Sequence, residues 1–337
     1  THYHPIAGIP ELLQAHAKKL QTDNVHTYTA DEIVESNGAK QSMTNAMFAL
    51  IDPGDEVILL APYWVAYDGI VRMAGATPRV VAASAEEGFK VPAARLREAL
   101  SERTKLVIIN TPCNPTGAVY SRNELAELAA VITDHPRAMV LSDEIYEYIV
   151  FDDAKHVSLA SLPGMRERTI VVNGLSKGFA MTGWRIGYGA APAPVAKAMS
   201  KVQGTFTAGG NAFVQHAAVA ALTGDRIDVE AMRASYQRRR KLVVDGLSAI
   251  PGIKAPRPDG AFYIFPDISA YLGKTAGNRP IDSAEDMAEW LLEKHHVATV
   301  PGTTFGAPGC IRLSFAASDA DINEGLNRIA AGLAELV

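Results

Sequence analysis

The sequence has few of the features that mark disulfide-rich, metal-binding or membrane proteins. Only two cysteines, Cys113 and Cys310, occur in 337 residues, so neither a disulfide framework nor a cysteine-based zinc site is expected. No apolar run approaches the roughly 20 residues of a membrane-spanning helix. The nine histidines lack the spacing of metal ligands. We therefore expect a metal-free protein of a reducing compartment, the cytoplasm.

Clustered positive charge is also missing. Lys and Arg number 32 against 37 Asp and Glu, a net charge of −5, and the one dense basic run, residues 238–241, follows a helical pattern. Nucleic-acid binding depends on clustered cations that neutralise phosphates, so DNA and RNA are not expected partners. Neither a Walker A loop nor a G-x-G-x-x-G turn after a strand is present.

What the sequence does contain is an alternation of short β-branched runs with helical patterns. The predicted strands cover residues 32–35, 56–60, 79–82, 105–110, 138–141 and 169–172, and a further strand-like run passes through Arg185 and Ile186. The predicted helices between them include 92–100 and 122–133. This alternation predicts an α/β fold: a mostly parallel, doubly wound sheet with helices on both faces. After a long predicted helix, 228–249, the pattern changes to that of a smaller α+β domain, with a predicted strand at 261–265 and a predicted helix at 284–295. We expect a large domain at 1–238 and a small domain at 239–337.

Polar residues follow three consecutive predicted strands. In chain order they are Asn114, Asp143, Tyr146, Ser176 and Lys177. Ligands of doubly wound sheets bind beyond the carboxyl ends of the strands, so these side chains are expected to meet at one edge. A lysine in a glycine-flanked turn after a buried strand can be desolvated, which lowers its pKa and favours the neutral amine that Schiff-base chemistry needs. The alternative is an ordinary solvated lysine.

A second alternative concerns Ser176. Residues 174–178 match the G-x-S-x-G nucleophile elbow of α/β-hydrolases and follow a strand. However, no histidine follows a strand end in the hydrolase order, and no glycine-rich oxyanion loop is evident. An amide, a carboxylate, a phenol and a lysine suit instead an aldehyde cofactor whose ring nitrogen needs an anion.

Other candidate positions are less specific. Gly38, Ala39 and Lys40 lie at the start of a predicted helix, where free N–H groups could bind a phosphate. Arg185 adds a permanent positive charge. Trp64 could stack on a flat ring or be a core aromatic. Arg312 lies on the opposite face of its strand from the apolar neighbours, as either a solvated residue or a carboxylate clamp.

Taken together, the motifs resemble the class I aminotransferases of fold type I, the aspartate aminotransferase family, which use pyridoxal phosphate. The resemblance covers essentially the whole chain, and its motifs occur in order and at the right spacing. They are Asp52–Asp55 with Pro62–Trp64, Asn114–Gly117, Ser142–Tyr146, Ser176–Lys177 with Gly183–Gly187, and Arg312–Ser314.

The resemblance implies a role for each candidate residue. Lys177 would bind the cofactor covalently and move the substrate α-proton, and Asp143 would pair with the pyridine nitrogen. Tyr146 and Asn114 would bind the phenolic oxygen. The remaining assignments are Trp64 stacked on the ring, Gly38, Ala39, Ser176 and Arg185 at the phosphate with Lys40 close by, and Arg312 at the substrate α-carboxylate. Tyr3 would reach the phosphate of a neighbouring subunit, which implies a homodimer.

The resemblance also bears on the substrate. In one branch of the family a lysine at the position of Lys40 attracts the distal carboxylate of the substrate, which favours aspartate or glutamate with 2-oxoglutarate or oxaloacetate in a ping-pong reaction. The alternative for Lys40 is a plain cation beside the phosphate. The alternative functions are an aminotransferase for aromatic amino acids or prephenate, and a β-eliminating lyase. A non-catalytic regulator would need a DNA-binding module, which is not visible. Three departures are expected to matter: Cys113 replaces a common asparagine, Gly209-Gly210 replaces a serine-proline in a loop shared between subunits, and the family's N-terminal arm is absent from this sequence.

Overall fold

The computed structural model describes residues 2–337 and contains one large sheet. Its strands are β1 (Ile33–Ser36), β2 (Glu56–Ala61), β3 (Thr77–Ala82), β4 (Thr104–Asn110), β5 (Met139–Asp143), β6 (Thr169–Gly174) and β7 (Gly187–Ala190). In space they run β1-β7-β6-β5-β4-β2-β3. Strands β2 to β6 are mutually parallel, and β7 is antiparallel to both of its neighbours. The predicted mostly parallel sheet is confirmed.

Helices cover both faces of this sheet. They are α1 (Pro10–Asp23), α2 (Ala39–Leu50), α3 (Ala66–Met73), α4 (Ala93–Ala99), α5 (Arg122–Thr133), α6 (Ala193–Phe206) and α7 (Ala212–Thr223). Strand β4 shows the two layers, because Leu106 and Ile108 share a buried cluster with α2, α3 and α6, whereas Val107 and Ile109 share one with α4 and α5. A strand buried on both faces has no polar side, which is why it appears in the sequence as a continuous apolar run.

The last third of the chain forms a smaller α+β unit. Its elements are α8 (Ile227–Ser248), β8 (Tyr263–Ile264), β9 (Lys274–Ala276), β10 (Arg279–Ile281), α9 (Ala284–His295), β11 (Val300–Pro301), β12 (Ile311–Ser314) and α10 (Asp319–Ala334). Strands β11, β12 and β8 form one antiparallel sheet, and β9 and β10 form a hairpin. The division into 1–238 and 239–337 stays a proposal, with its boundary inside α8.

The two units share a core. Trp290, Leu291 and Phe315 of the smaller unit belong to one buried cluster with Ile145 and Tyr146, which follow β5 of the large sheet. This packing places the smaller unit directly beside the carboxyl end of β5, so a site at that sheet edge has walls from both units. Among residues 2–337, no helix combines the length and the apolarity that crossing a membrane would require.

One predicted strand was wrong. The run through Arg185 and Ile186 is not extended, since Arg185 has left-handed backbone angles, φ 55° and ψ 58°, and β7 begins only at Gly187. A Cβ at Gly187 would lie 2.4 Å from the Ala39 nitrogen, so the strand passes closely beneath the start of α2. The predicted strand at 261–265 is also shorter, with only two residues in β8.

Candidate active site

Strands β4, β5 and β6 end together at one edge of the sheet, where Asn110 pairs in register with Asp143 and Asp143 with Val172. A cavity of about 360 Å³ opens at this edge. From the predicted set it is lined by Ala39, Lys40, Trp64, Asn114, Asp143, Tyr146, Ser176, Lys177, Arg185 and Arg312. Gly38 does not line the cavity itself but lies against the guanidinium of Arg185, which does. Tyr3 does not line it and is 95% exposed.

Asp143 is the buried acid of this cavity. Its Oδ2 accepts a hydrogen bond from the Tyr67 hydroxyl at 2.6 Å, and its Oδ1 accepts one from the Ile145 N–H at 3.2 Å. Within residues 2–337, no lysine, arginine or histidine nitrogen lies within 4.0 Å of the carboxylate. Burial raises the pKa of Asp143 to about 6, and the Tyr67 hydrogen bond opposes that rise. A buried carboxylate without a cationic partner suits a protonated ring nitrogen.

Lys177 follows β6 and is half-buried. Burial lowers the pKa of its ammonium, and the positive charges of Arg185 and Arg312 lower it further, against the opposing effect of Asp143. Its Nζ lies 5.5 Å from the centre of the Phe262 ring and forms no hydrogen bond within the described chain. These surroundings increase the fraction of neutral amine, which is the form that attacks an aldehyde.

Arg312 enters the cavity from β12 of the smaller unit. Its Nη1 donates to Asn114 Oδ1 at 3.0 Å, and its guanidinium lies over the rings of Tyr263 and Phe305, at 4.6 and 5.0 Å. Its Nε is buried without a hydrogen-bond partner, and no carboxylate of residues 2–337 lies within 4.0 Å. A guanidinium with unused donors and no acidic partner can bind a carboxylate at two points.

The opposite end of the cavity is built to receive an anion. The first N–H groups of α2 have no partners within the helix, and the helix dipole places partial positive charge there. The Arg185 guanidinium lies over this helix start, donating to the carbonyl oxygens of Thr182 and Asn37 at 3.0 and 3.3 Å. At Gly38, φ is 88° and a Cβ would lie 2.3 Å from Arg185 Nη2, so only glycine allows this contact.

The sequence analysis missed three groups that shape the cavity. The Tyr67 hydroxyl donates to Asp143; Tyr67 lies in the first turn of α3, three residues after Trp64, and this spacing could have indicated that the two side chains lie close together. Asn110, the last residue of β4, donates to the Asp143 carbonyl oxygen at 2.9 Å. Tyr263 comes from the smaller unit and places its hydroxyl 3.2 Å from that of Tyr146. Nothing local in the sequence marks Tyr263, because only tertiary packing brings it here.

Comparisons with known proteins agree with this geometry. The family model of aminotransferase class I and II matches residues 1–329. A bifunctional aspartate aminotransferase and glutamate/aspartate-prephenate aminotransferase of Petunia hybrida is 45% identical over 98% of this chain and 70% of its own length. The crystal structure of aspartate aminotransferase from Rhizobium meliloti is 43% identical with a TM-score of 0.97, over 100% of this chain and 85% of that one. Aspartate aminotransferase from Thermus thermophilus with maleate is 42% identical with a TM-score of 0.92, over 98% and 84%.

Fold and cavity therefore define a fold type I transferase whose cofactor is pyridoxal phosphate. The chain belongs to the class I and II aminotransferases. The family expectation is confirmed, and the hydrolase alternative is wrong: no histidine of the described chain lines the cavity beside Ser176.

The residues present fit the cofactor on three separate observations. Asp143 is a buried carboxylate without a cation, Lys177 is an amine with a lowered pKa, and the start of α2 with Arg185 forms an anion seat. The ring nitrogen, the aldehyde and the phosphate of pyridoxal phosphate would complement these three features. The individual residue roles that the resemblance implied stay predictions.

Proposed function

We propose that this aminotransferase moves the α-amino group of aspartate or glutamate to 2-oxoglutarate or oxaloacetate by a ping-pong mechanism. The observation that carries the substrate choice is a pair of cations in one cavity, Arg312 and Lys40, neither of which has a carboxylate within 4.0 Å in residues 2–337. Two separated cations suit a dicarboxylate. The relatives named as aspartate aminotransferases, one of them solved with the dicarboxylate maleate, support the same choice.

Each cavity residue has a role in this proposal. Bound pyridoxal phosphate supplies an aldehyde that takes up the amino group and an electron-poor ring that stabilises negative charge at the substrate α-carbon. Lys177 would hold the cofactor covalently until the substrate amino group takes its place, and the released neutral amine would then accept the α-proton and later return it. Asp143 keeps the ring nitrogen protonated, and Arg312 binds the substrate α-carboxylate. Tyr146 and Asn114 donate to the phenolic oxygen.

The remaining residues position the cofactor. Trp64 stacks on the ring; its own indole already meets the Tyr67 ring edge-to-face at 5.6 Å. Gly38, Ala39, Ser176 and Arg185 hold the phosphate. Lys40 has its Nζ 4.9 Å from the centre of the Trp64 ring, so it lies beside the place of the cofactor ring and can attract the distal carboxylate of the substrate.

We also propose a homodimer, in which Tyr3 reaches the phosphate of the partner. Tyr3 is almost fully exposed in the single chain. Phe48 and Phe206 form an edge-to-face pair at 5.7 Å on the surface, where they are 38% and 63% exposed, and Trp184 is 47% exposed. Large exposed aromatic groups of this kind favour burial against another protein surface. A cytoplasmic location stays part of the proposal.

The substrate proposal is tested with a panel of amino donors. Replacing Lys40 by Ala removes one charge-assisted contact, so we expect kcat/KM for aspartate and glutamate to fall about 10- to 100-fold. Aromatic donors should change by about twofold or less, since they carry no distal carboxylate for Lys40 to bind. Lys18→Ala, an exposed lysine of α1, is the matched control. Equal losses for acidic and aromatic donors would remove the basis for an acidic substrate.

A second candidate acceptor is prephenate. Relatives from Petunia hybrida and from Cereibacter sphaeroides are named for both aspartate and prephenate. Prephenate also carries a carboxylate in addition to its 2-oxo acid group, so Lys40 could serve it in the same way. Two assays of the wild-type protein distinguish these acceptors. Glutamate is the amino donor in both, with prephenate as acceptor in one and 2-oxoglutarate in the other, and the preferred acceptor is the one with the higher kcat/KM.

A further inference from the structure

Glu35 is a buried acid that the proposed reaction does not use. Its side chain is 0% exposed on β1, three residues before the phosphate-side glycine Gly38, and it does not line the active-site cavity. Neither carboxylate oxygen has a hydrogen-bond partner, and within residues 2–337 no charged nitrogen lies within 4.0 Å. Buried carboxylates are normally paired or hydrogen-bonded, so this one requires an explanation.

A loop lies directly on this carboxyl group. Residues 207–211, which we name the latch loop, connect α6 to α7, and a Cβ placed on Gly210 would lie 2.3 and 2.5 Å from the two Glu35 oxygens. The carboxyl therefore occupies the space that any side chain at position 210 would need. The Gly210 N–H approaches the carboxyl without reaching hydrogen-bond geometry. On its other side, a Cβ at Gly8 would lie 3.0 Å from the Glu35 Cβ.

The latch loop is also joined to the phosphate end of the cavity. Gln41 of α2 donates to Thr207 Oγ1 at 2.7 Å, and its Oε1 accepts from the Asn37 N–H at 2.7 Å. Ala208 and Gly209 both have positive φ, 58° and 106°, so the chain turns sharply within this loop. Movement of this loop would therefore reach the turn at 37–41, where the phosphate is expected.

We propose that Glu35 is a pH-sensitive latch: as a neutral carboxylic acid it allows the latch loop to close on β1, and when ionised it drives the loop outward and loosens the turn at 37–41. An ionised carboxylate is unfavourable in this site, because no cation lies within 4.0 Å and the Gly210 N–H does not reach hydrogen-bond geometry to replace its water. Opening of the latch loop would let water reach the ionised carboxylate. This regulation is separate from the choice of amino donor.

The direction of the pH effect follows from burial, which raises the pKa of Glu35 from its ordinary value of 4.5 to about 8. Between these values the folded state holds a proton that the unfolded state has lost. The stabilising effect of neutral Glu35 is thus complete below about pH 4.5 and is lost as the pH rises towards 8.

The neighbouring titratable groups do not stabilise an ionised Glu35. Tyr188 of β7 pairs in register with Glu35, and His16 of α1 stacks on Tyr188 at 4.0 Å. Burial lowers the pKa of His16 to about 3, so this imidazole is neutral throughout the range considered. The lysines of α1, α2 and α6 and the exposed His216 of α7 form neither an ion pair nor a hydrogen bond with Glu35.

Amide hydrogen exchange of the cofactor-loaded protein, followed by mass spectrometry, tests the latch. After correction for the intrinsic pH dependence of exchange, protection of the latch loop should fall by up to about tenfold per pH unit between pH 5 and pH 8, since opening releases one proton. Glu35→Gln, which cannot ionise, should abolish this dependence, whereas Glu98→Gln, an exposed acid outside any ion pair, should retain it. Unchanged protection in the wild-type protein, or the same fall in Glu35→Gln, would overturn the proposal.

A second experiment does not depend on Glu35→Gln folding well. Gly210→Ala adds a methyl group where the carboxyl lies, so it should lower the Tm at pH 6.5. Combined with Glu35→Ala, which vacates that space, the same substitution should cost less than it does alone. If the two changes in Tm simply add, the carboxyl and the loop are not in contact and the latch is wrong.

Discussion

At the scale of single residues, the cavity depends on groups held without their usual partners. Asp143 is a buried carboxylate without a cation, and Arg312 is a guanidinium without a carboxylate. Each is incomplete in the protein alone and has the charge that pyridoxal phosphate or an amino acid would complement. Tyr67 contributes differently, because its hydroxyl is neutral and acts on the protonation of Asp143 through one short hydrogen bond.

Tyr67→Phe tests this contact. Loss of the 2.6 Å hydrogen bond should raise the pKa of Asp143 above its present value of about 6, so that the acid is protonated over a wider pH range. Since only the ionised carboxylate attracts a protonated ring nitrogen, the acid-side decline in cofactor affinity should move to higher pH. Titration of the cofactor-free protein with pyridoxal phosphate at several pH values measures this.

The matched control for this titration is Tyr63→Phe. Tyr63 belongs to the same turn as Trp64, but its hydroxyl donates to no group of the described chain. An acid-side decline at the same pH in Tyr67→Phe and wild type would show that Tyr67 has no influence on Asp143.

At the scale of elements, the proposed phosphate end of the cavity combines one helix start with one strand start. Helix α2 begins where Gly38 takes positive φ, and β7 begins at Gly187 directly beneath it. Arg185 precedes β7 with left-handed backbone angles, which is the strained feature that brings its guanidinium over α2. Gly38, Gly187 and the strained Arg185 therefore form the anion-binding end of the cavity together.

Gly38→Ala should damage this seat. The new Cβ meets Arg185 Nη2 at 2.3 Å, and alanine is strained at a φ of 88° by about 1–3 kcal/mol. We expect the dissociation constant of pyridoxal phosphate, measured by fluorescence titration, to rise about tenfold or more, since a loss of 1.4 kcal/mol is a factor of ten. Gly183→Ala, in the same region but with no atom within 4 Å of its Cβ, should bind like wild type. Comparable affinity in both variants would argue against the assigned seat.

At the scale of the whole molecule, the cavity takes its residues from both units. Arg312 and Tyr263 come from the smaller unit and reach residues that follow β4 and β5. Relative movement of the units would therefore change the substrate side of the cavity while leaving the phosphate side intact. The proposed homodimer adds a third source, the Tyr3 of a partner.

A charge on the aromatic surface should disrupt that dimer. Phe206→Glu places a carboxylate beside Phe48, so association should weaken and cofactor affinity should fall with it. Sedimentation velocity at micromolar concentration, with and without pyridoxal phosphate, measures the assembly. Leu292→Glu, also an exposed apolar residue but on α9, is expected to sediment like wild type. A wild-type protein that sediments as a monomer would rule the dimer out.

Hydrophobic periodicity and the order of the motifs were enough to predict most of the strands, the edge of the sheet that carries the cavity, and the family. Buried strands such as β4 are continuous apolar runs, and the polar residues after β4, β5 and β6 had to meet because parallel strands end at one edge. The residue types indicated an aldehyde cofactor, and the resemblance of the ordered motifs to a known family implied pyridoxal phosphate. For the same reason the helices α5 and α9 begin and end where their patterns predict.

Only the tertiary structure decided the rest. Contacts between residues far apart in the chain, such as Tyr67 with Asp143 and Tyr263 with Tyr146, leave no local pattern. The left-handed turn at Arg185 was missed because β-branched and apolar neighbours suggested a strand, and its guanidinium meets Gly38 only in the folded chain. The isolation of Glu35 beneath Gly210 likewise depends on which loop covers β1, and burial is a property of the fold rather than of the residue.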